Sequence, residues 1–342
     1  MAIIKGVVRL QKVTIKDVAR MSETSIRTVS RVINNHPNVK ESTRERVQSV
    51  IKELDYKVNF LARGLKEQKT NQIVVFIDRR DGEYWGAYHN EVFQELHRLS
   101  KVYNYRMVIS ASSPDSFEDD DNDGFHLIKH KLCDGAIIFD PINNDQRVHY
   151  LKNSNTPFIL IGDSKHDFDV SYVGVDNSNL GYLGAKSMFE NGYKSMVFFL
   201  GKEKSIINQK RAEGFIRFCK EQGVNYNVYF DVFNLESAYN KTKEILTTQK
   251  VDSFFVSGDE RALAVYRALH EYELEIGKEV GVLGIDNLRM SEYFYPTLST
   301  IDQPKLEIAQ SALNLLIQQI TDEKHIPERR KVEPSLIKRQ SL

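Results

Sequence analysis

The chain has 342 residues, 41% hydrophobic and 27% charged, the make-up of a folded protein of two or three domains, not of a disordered or fibrous one. Its longest apolar runs, such as Ile73–Ile77 and Phe158–Ile161, fall far short of the ~20 residues that a membrane-spanning helix needs. The formal charge is zero but unevenly laid out: residues 1–70 carry 15 Lys and Arg against 7 Asp and Glu, the remainder 32 against 40. A basic head on an acidic body predicts a head that meets a polyanion. Neither a secretory leader nor a disulfide framework is legible, and Cys133 and Cys219 read as reduced buried thiols, so the expected location is the cytoplasm.

In chain order, residues 1–11 form an extension, and three short helices are predicted before residue 56. Thr14, with Asp17 three residues on, opens the first, through Ile15, Val18 and Ala19. Ser22-Glu23-Thr24 interrupts it. Ser25 caps a second helix with Ile26, Val29, Val32 and Ile33 at spacings of three and four. Ser42 and Glu45 read as a capping box for a third, whose Val47, Val50, Ile51 and Leu54 share one face. Two helices joined by a tight turn, with a third closing the core, match the helix-turn-helix plan.

With Val29 and Val32 turned inward, the second helix leaves Ile26, Arg27, Ser30 and Arg31 on its outer side. Its N-terminal residues are placed to enter a major groove, where an Arg grips guanine through two hydrogen bonds. Thr14, Thr24, Ser25, Thr28 and Asn34 are expected at the DNA, the last four as phosphate donors that set register.

These residues are also familiar. The string from Val13 to Leu65 resembles the head of the lactose-repressor (LacI/GalR) family: TIKDVA, TVSRVIN, STRERV, ELDY and N-x-x-A-R-x-L fall in the family's order and spacing. The turn departs from it, since Ser22-Glu23 stands where relatives have Gly or Ala-Gly, and a residue with a Cβ there predicts a strained turn. The resemblance implies a hinge helix at Asn59–Leu65, with Leu65 as an apolar wedge at a central base step and Ala62 allowing two such helices to approach. The head is therefore assigned to 12–58 and the hinge to 59–70.

From residue 72, apolar runs alternate with helical patterns. Strands are predicted at Ile73–Ile77, Arg106–Ser110, Gly135–Phe139, Phe158–Ile161, Met196–Leu200, Tyr226–Val232, Asp252–Val256 and Val280–Ile285. Helices are predicted at Tyr88–Tyr103, Phe125–Leu132, Leu180–Asn191, Lys210–Gln222, Tyr239–Thr247 and Arg261–Glu271. Such alternation predicts parallel sheets with ligands bound beyond their strand ends. The expected fold is thus an all-α helix-turn-helix head plus an α/β two-lobed periplasmic-binding-protein-like (type I) body, 71–342, with parallel doubly wound sheets. By the resemblance, lobe 1 covers about 71–166 and 296–327, and lobe 2 about 167–295 and 328–342.

The resemblance also implies a ligand cleft between the lobes. Arg211-Ala-Glu-Gly-Phe215 matches R-x-x-G-F, whose Arg meets effector hydroxyls, and Gly284-Ile-Asp286 matches G-[FY]-D, with Asp286 as acceptor. Gln303, Phe233, Tyr84 and Trp85 fall where relatives line the cleft, and Asp163 lies near its mouth. An Arg, a carboxylate and aromatic faces suit a sugar or glycoside. Gly258-Asp259 replaces the family's Asn-Asp, which removes one bidentate partner while keeping Asp259 as a candidate.

No metal or cofactor is expected. The acidic run Asp119–Gly124 has His130 where a calcium loop needs Glu, and no phosphate loop or nucleophile elbow appears. The function expected is a palindrome-binding homodimeric repressor of sugar-utilisation genes under effector control, with no membrane partner. Three alternatives stay open: a catabolite-type regulator, a nucleobase-responsive regulator using a corepressor, and a sugar-processing enzyme.

Overall fold

The computed structural model describes residues 13–33, 35–57, 69–77, 85–112, 124–142, 144–163, 169–322 and 326–342. It divides into two compact units, Met1–Thr70 and Asn71–Leu342. Asn34, the hinge candidates Asn59, Ala62 and Leu65, the acidic run up to Asp123 and Tyr84 lie outside the described residues.

The first unit holds α1 (Ile15–Met21), α2 (Ile26–Ile33) and α3 (Glu41–Glu53). Asp17 Oδ2 accepts from both the Thr14 amide and hydroxyl, and Ser25 Oγ accepts from the Thr28 amide at 3.1 Å, so both predicted caps form. The capping box at Ser42 does not. α3 starts at Glu41 after Lys40, whose carbonyl takes the amides of Thr43 and Arg44, and Ser42 is already inside the first turn. Val18, Val29, Val32, Val47 and Val50 meet in a small core.

The turn after α1 closes as a Schellman motif: the Thr24 amide donates to Ala19 and the Glu23 amide to Arg20. That motif requires a left-handed residue between them, and Glu23 takes the role at φ +49°. A side chain there costs about 1 kcal/mol that glycine avoids. Glu23→Gly is accordingly expected to slow hydrogen exchange of the α1 and α2 amides roughly five-fold in the full chain, the equivalent of about 1 kcal/mol.

The second unit is built on two six-stranded sheets. The first takes β1 (Gln72–Ile77), β2 (Arg106–Ala111), β3 (Gly135–Phe139), β4 (Phe158–Ile161) and β5 (Tyr172–Val175) from the N-terminal half. With them run α4 (Ala87–Ser100), α5 (Gly124–Lys129) and α6 (Gln146–Asn153). The chain then crosses through α7 (Asn177–Glu190) into the second sheet: β6 (Ser195–Phe199), α8 (Ile206–Gln222), β7 (Asn225–Tyr229), α9 (Leu235–Thr248), β8 (Ser253–Val256), α10 (Asp259–Glu271), β9 (Gly281–Asp286) and β10 (Ser299–Asp302). α11 (Lys305–Thr321) packs back on the first lobe, β11 (Arg329–Val332) joins the first sheet and β12 (Ser335–Ile337) the second. The strand orders are β11-β5-β4-β3-β1-β2 and β12-β10-β9-β8-β6-β7, parallel except for β12.

The expected lobe boundaries are corrected by this pairing. β5 and β11 belong to the first sheet and β10 to the second, so the crossings fall near 176, 303 and 333 instead of 166, 295 and 327. The cause is local: these three strands have four residues each, too few for a period to announce itself. Helix starts shift the other way, toward the N-terminus. α7, α8 and α9 begin three or more residues ahead of their first predicted positions; Asp176 and Asn234 accept from the Asn179 and Ser237 amides and mark the true starts of α7 and α9. Of the two cysteines Cys219 is buried and Cys133 half-buried. Among the described residues no helix is long and apolar enough to cross a membrane.

Candidate functional site

On the head, the exposed side of α2 presents Ile26, Arg27 and Arg31, with Thr28 and Ser30 partly covered, while Val29 and Val32 are sealed in the core. Thr14 and Ser25 are exposed and Thr24 half-buried at the turn. Ile26 is a large apolar side chain left 45% exposed at the N-terminal end of a helix flanked by arginines. That combination suits apolar contact with a thymine methyl beside a guanine-reading Arg.

In the body, β9 ends at Asp286, β8 is followed by Ser257, and β10 leads to Gln303, all at carboxyl ends of neighbouring strands. Arg211, on the inner side of α8, reaches over them. Its Nε donates to Asn177 Oδ1 at 2.9 Å, Nη1 to Ser257 Oγ at 2.8 Å and Nη2 to Gln303 Oε1 at 3.3 Å. Gln303 Nε2 donates onward to Asp286 Oδ1 at 2.6 Å. Three of the five N–H groups of a guanidinium are thus used, and a fork with two left over stands buried among polar groups.

Two close approaches make this geometry possible. A Cβ on Gly214 would lie 1.8 Å from the Ser178 carbonyl oxygen, and one on Gly181 2.0 Å from that of Arg211, so α7 and α8 touch backbone to backbone. The glycine of R-x-x-G-F thereby sets how deep its arginine sits. A Cβ on Gly284 would lie 2.0 Å from Asp259 Oδ1, which explains the glycine of Gly284-Ile-Asp286.

Asp259 is a correction to the expected site. It is fully buried, and its hydrogen bonds go elsewhere than to Arg211: it accepts from the Leu288 amide at 2.8 Å, Ser291 Oγ at 2.6 Å and Thr300 Oγ1 at 2.7 Å. It ties α10 to the loop after β9 and to β10, a structural duty. Burial, then the nearby Asp286 charge, push its carboxyl up to about 7 from an ordinary 3.8. The folded protein thus holds a proton that the unfolded chain releases above pH 4. Stability from this group is full below pH 4 and is lost as pH rises through 7. Asp259→Asn is expected to shrink the fall in Tm between pH 5 and pH 8, read by circular dichroism.

Burial also raises Asp286 and lowers Arg211. Desolvation outweighs their mutual attraction, the usual balance for a buried pair.

The first lobe contributes residues that the sequence did not single out. Tyr88 of α4 is set among Asp286, Asp140 and Arg211, and burial raises its hydroxyl far above the usual tyrosine range. His89 Nε2 lies 2.6 Å from Asp140 Oδ2, just past β3. Lys305 donates to the carbonyls of Asp286 and Asn287 and pairs with Glu91 at 3.5 Å. Asp163, past β4, pairs with Lys210 of α8 at 2.7 Å and so bridges the lobes. Trp85 is half-buried against the central core, whereas Phe233 stands 53% exposed on the loop after β7. The signal for Asp140 was position alone, immediately beyond the carboxyl end of β3, and Tyr88, in the first turn of α4, carried none.

A helix-turn-helix unit joined to a two-lobed α/β body, with a buried polar cluster where two sheets present their strand ends, defines a class of protein. Comparison specifies it. Residues 14–59 match the family described as bacterial regulatory proteins, lacI family, and residues 185–342 a periplasmic binding protein-like domain. The catabolite control protein A of Priestia megaterium is 30% identical over 320 residues, covering 91% of this chain and 93% of that protein. The transcriptional repressor PurR of Aliivibrio salmonicida is 29% identical, covering 96% and 98%. Among solved structures, the lac repressor dimer bound to operator and the anti-inducer ONPF superposes with a TM-score of 0.82 at 21% identity, over 97% of this chain and 99% of that one. The chain belongs to the lacI family of bacterial regulatory proteins and is a DNA-binding transcriptional regulator. The relatives it matches are regulators, not enzymes.

Proposed function

We propose that the protein is a repressor that binds a palindromic operator as a homodimer, in the bacterial cytoplasm, with its affinity set by a sugar or glycoside held between Arg211 and Asp286 in the body. The observation that carries this reading is the polar chain Arg211–Gln303–Asp286, buried at the strand ends with Tyr88 beside it. A fork donor, a carboxyl acceptor and aromatic faces together recognise hydroxyls on an otherwise C–H-rich ring. Two solved structures support the class of ligand: a transcriptional regulator CelR–cellobiose complex, covering 96% of this chain at 23% identity and a TM-score of 0.71, and the lac repressor with ONPF. Asp163, Trp85, Phe233 and Tyr84 complete the proposed lining. Asn59, Ala62 and Leu65 are proposed to form the hinge at the minor groove, and Asn34 to hold a phosphate.

Two-fold symmetry of the operator demands two copies. The second lobe offers them a surface: an apolar groove of about 620 Å³ lined by Leu263, Tyr266 and Phe294 among others, with Tyr293 and Tyr295 about 86% and 87% exposed at its edge. Contiguous exposed apolar surface of this kind marks an association site.

The test is selection of random duplexes by the full chain, with and without a panel of monosaccharides and glycosides. The expected product is an inverted repeat whose recovery falls when one sugar is added, the same sugar raising the melting point. Arg27→Ala is expected to cost about 1–3 kcal/mol and relax one mirrored base position. Recovery of no inverted repeat under any condition overturns the repressor reading. A repeat whose binding every active ligand tightens replaces induction by corepression.

A further inference from the structure

Helix α4 begins without a side-chain cap from its own neighbourhood. Its N-cap is Gly86, at φ +97°, which has no side chain to offer the free amides of the first turn. The Ala87 amide instead donates to Glu260 Oε2 at 2.9 Å, across 173 positions of sequence. Glu260 lies in the first turn of α10, in the other lobe. A carboxylate at this end of a helix is the sign that the helix dipole favours.

The same helix carries Tyr88 into the ligand cluster and Glu91 to Lys305, which holds the end of β9. Elsewhere the lobes meet through Lys210 and Asp163 and through a backbone bridge between Ile142 and Ser205. Because the two residues stand on different lobes, an opening of the cleft would separate Glu260 from Ala87 and leave that amide to water, and closing would restore a partly buried, charge-assisted bond.

We propose that Glu260 is a latch, a helix cap supplied across the cleft that biases the two lobes toward closure and fixes the first turn of α4. It is a positioning residue that acts through α4 and Tyr88, outside the ligand cluster itself. The inference concerns closure of the body alone and stands whether or not the ligand is a sugar. A ligand that prefers the closed form gains affinity by whatever closure the latch has already secured.

The chain contains a single tryptophan, Trp85, two residues before the capped amide and half-buried. It reports the latch without any added label. In the full chain, Glu260→Ala is expected to raise the acrylamide quenching constant of Trp85 at least two-fold and to shift its emission to the red, with Glu260→Gln intermediate because its amide oxygen still accepts. Hydrogen exchange of segments 140–145 and 203–207, which hold the Ile142–Ser205 bridge between the lobes, is expected to quicken in Glu260→Ala as the lobes part. Quenching equal to wild type in a folded Glu260→Ala protein overturns the proposal. So does faster quenching with unchanged exchange at 203–207, which reduces the contact to local capping of α4.

Discussion

Replacing Arg211 by Met is expected to destabilise the body by about 3–5 kcal/mol, the usual penalty for removing one member of a buried charged pair. The size follows from what is left behind. Asn177 Oδ1, Ser257 Oγ and Gln303 Oε1 each lose a donor, and the Asp286 carboxyl, 8% exposed, loses the cation that offsets its burial. Met fills most of the volume, so cavity formation adds little and the loss reports polar groups left unsatisfied. The measurement is denaturant unfolding of the full chain, with a lowered midpoint at an unchanged m-value. A double variant, Arg211→Met with Asp286→Leu, is expected to recover only the part due to the uncompensated Asp286 carboxylate, because Asn177, Ser257 and Gln303 stay without their donor and Gln303 Nε2 also loses its acceptor. Ligand binding stays abolished in both variants if the pair recognises the effector, so stability and recognition separate in one experiment. A single variant as stable as wild type removes the premise that this network is buried and interdependent.

Gly214→Ala, a change of one methyl group on a helix, is expected to cost about 3 kcal/mol, the upper end of ordinary overpacking. Alanine normally favours a helix over glycine by about 1 kcal/mol, so propensity predicts the opposite sign. Sterics win because the new Cβ would lie 1.8 Å from the Ser178 carbonyl oxygen, with the Tyr182 amide nitrogen at 3.0 Å. Both obstacles are backbone of α7 and cannot rotate away. The helices must part, and Arg211, three residues before Gly214, moves with α8 away from Asn177 on α7. The expected result is a lowered unfolding midpoint. Gly223→Ala, at the αL cap of the same helix with no atom near its Cβ, is the comparison that separates backbone strain from helix crossing. If Gly214→Ala melts at or above wild type, the close crossing of α7 and α8 is wrong.

Some features were legible because they depend on neighbours in sequence. The head's three helices, the caps at Asp17 and Ser25 and the strain at Glu23 follow from local hydrogen bonding and backbone sterics, which a string of residues records directly. Most of the alternating strands and helices of the body were legible for the same reason, but α6, α11 and the strands β5, β10, β11 and β12 were not. Arg211, Asp286 and Gln303 were marked by motif spacing, and folding joined them through one chain of hydrogen bonds.

Other features were decided by tertiary structure alone. Sheet membership of three four-residue strands depends on what pairs with them and moved the lobe crossings. Asp259, adjacent in sequence to Gly258 at the cleft, proved to face Leu288, Ser291 and Thr300 because Gly284 leaves room for its carboxylate on that side. The placement of Tyr88 among Asp286, Asp140 and Arg211, and the capping of Ala87 by Glu260, join residues far apart in the chain. The amino-acid sequence alone thus specified most of the local segments and which motif residues belong to the site, since those follow from short-range bonding and period. Which groups finally touch across the cleft was fixed only when two sheets packed, because distant contacts leave no periodic trace in the sequence.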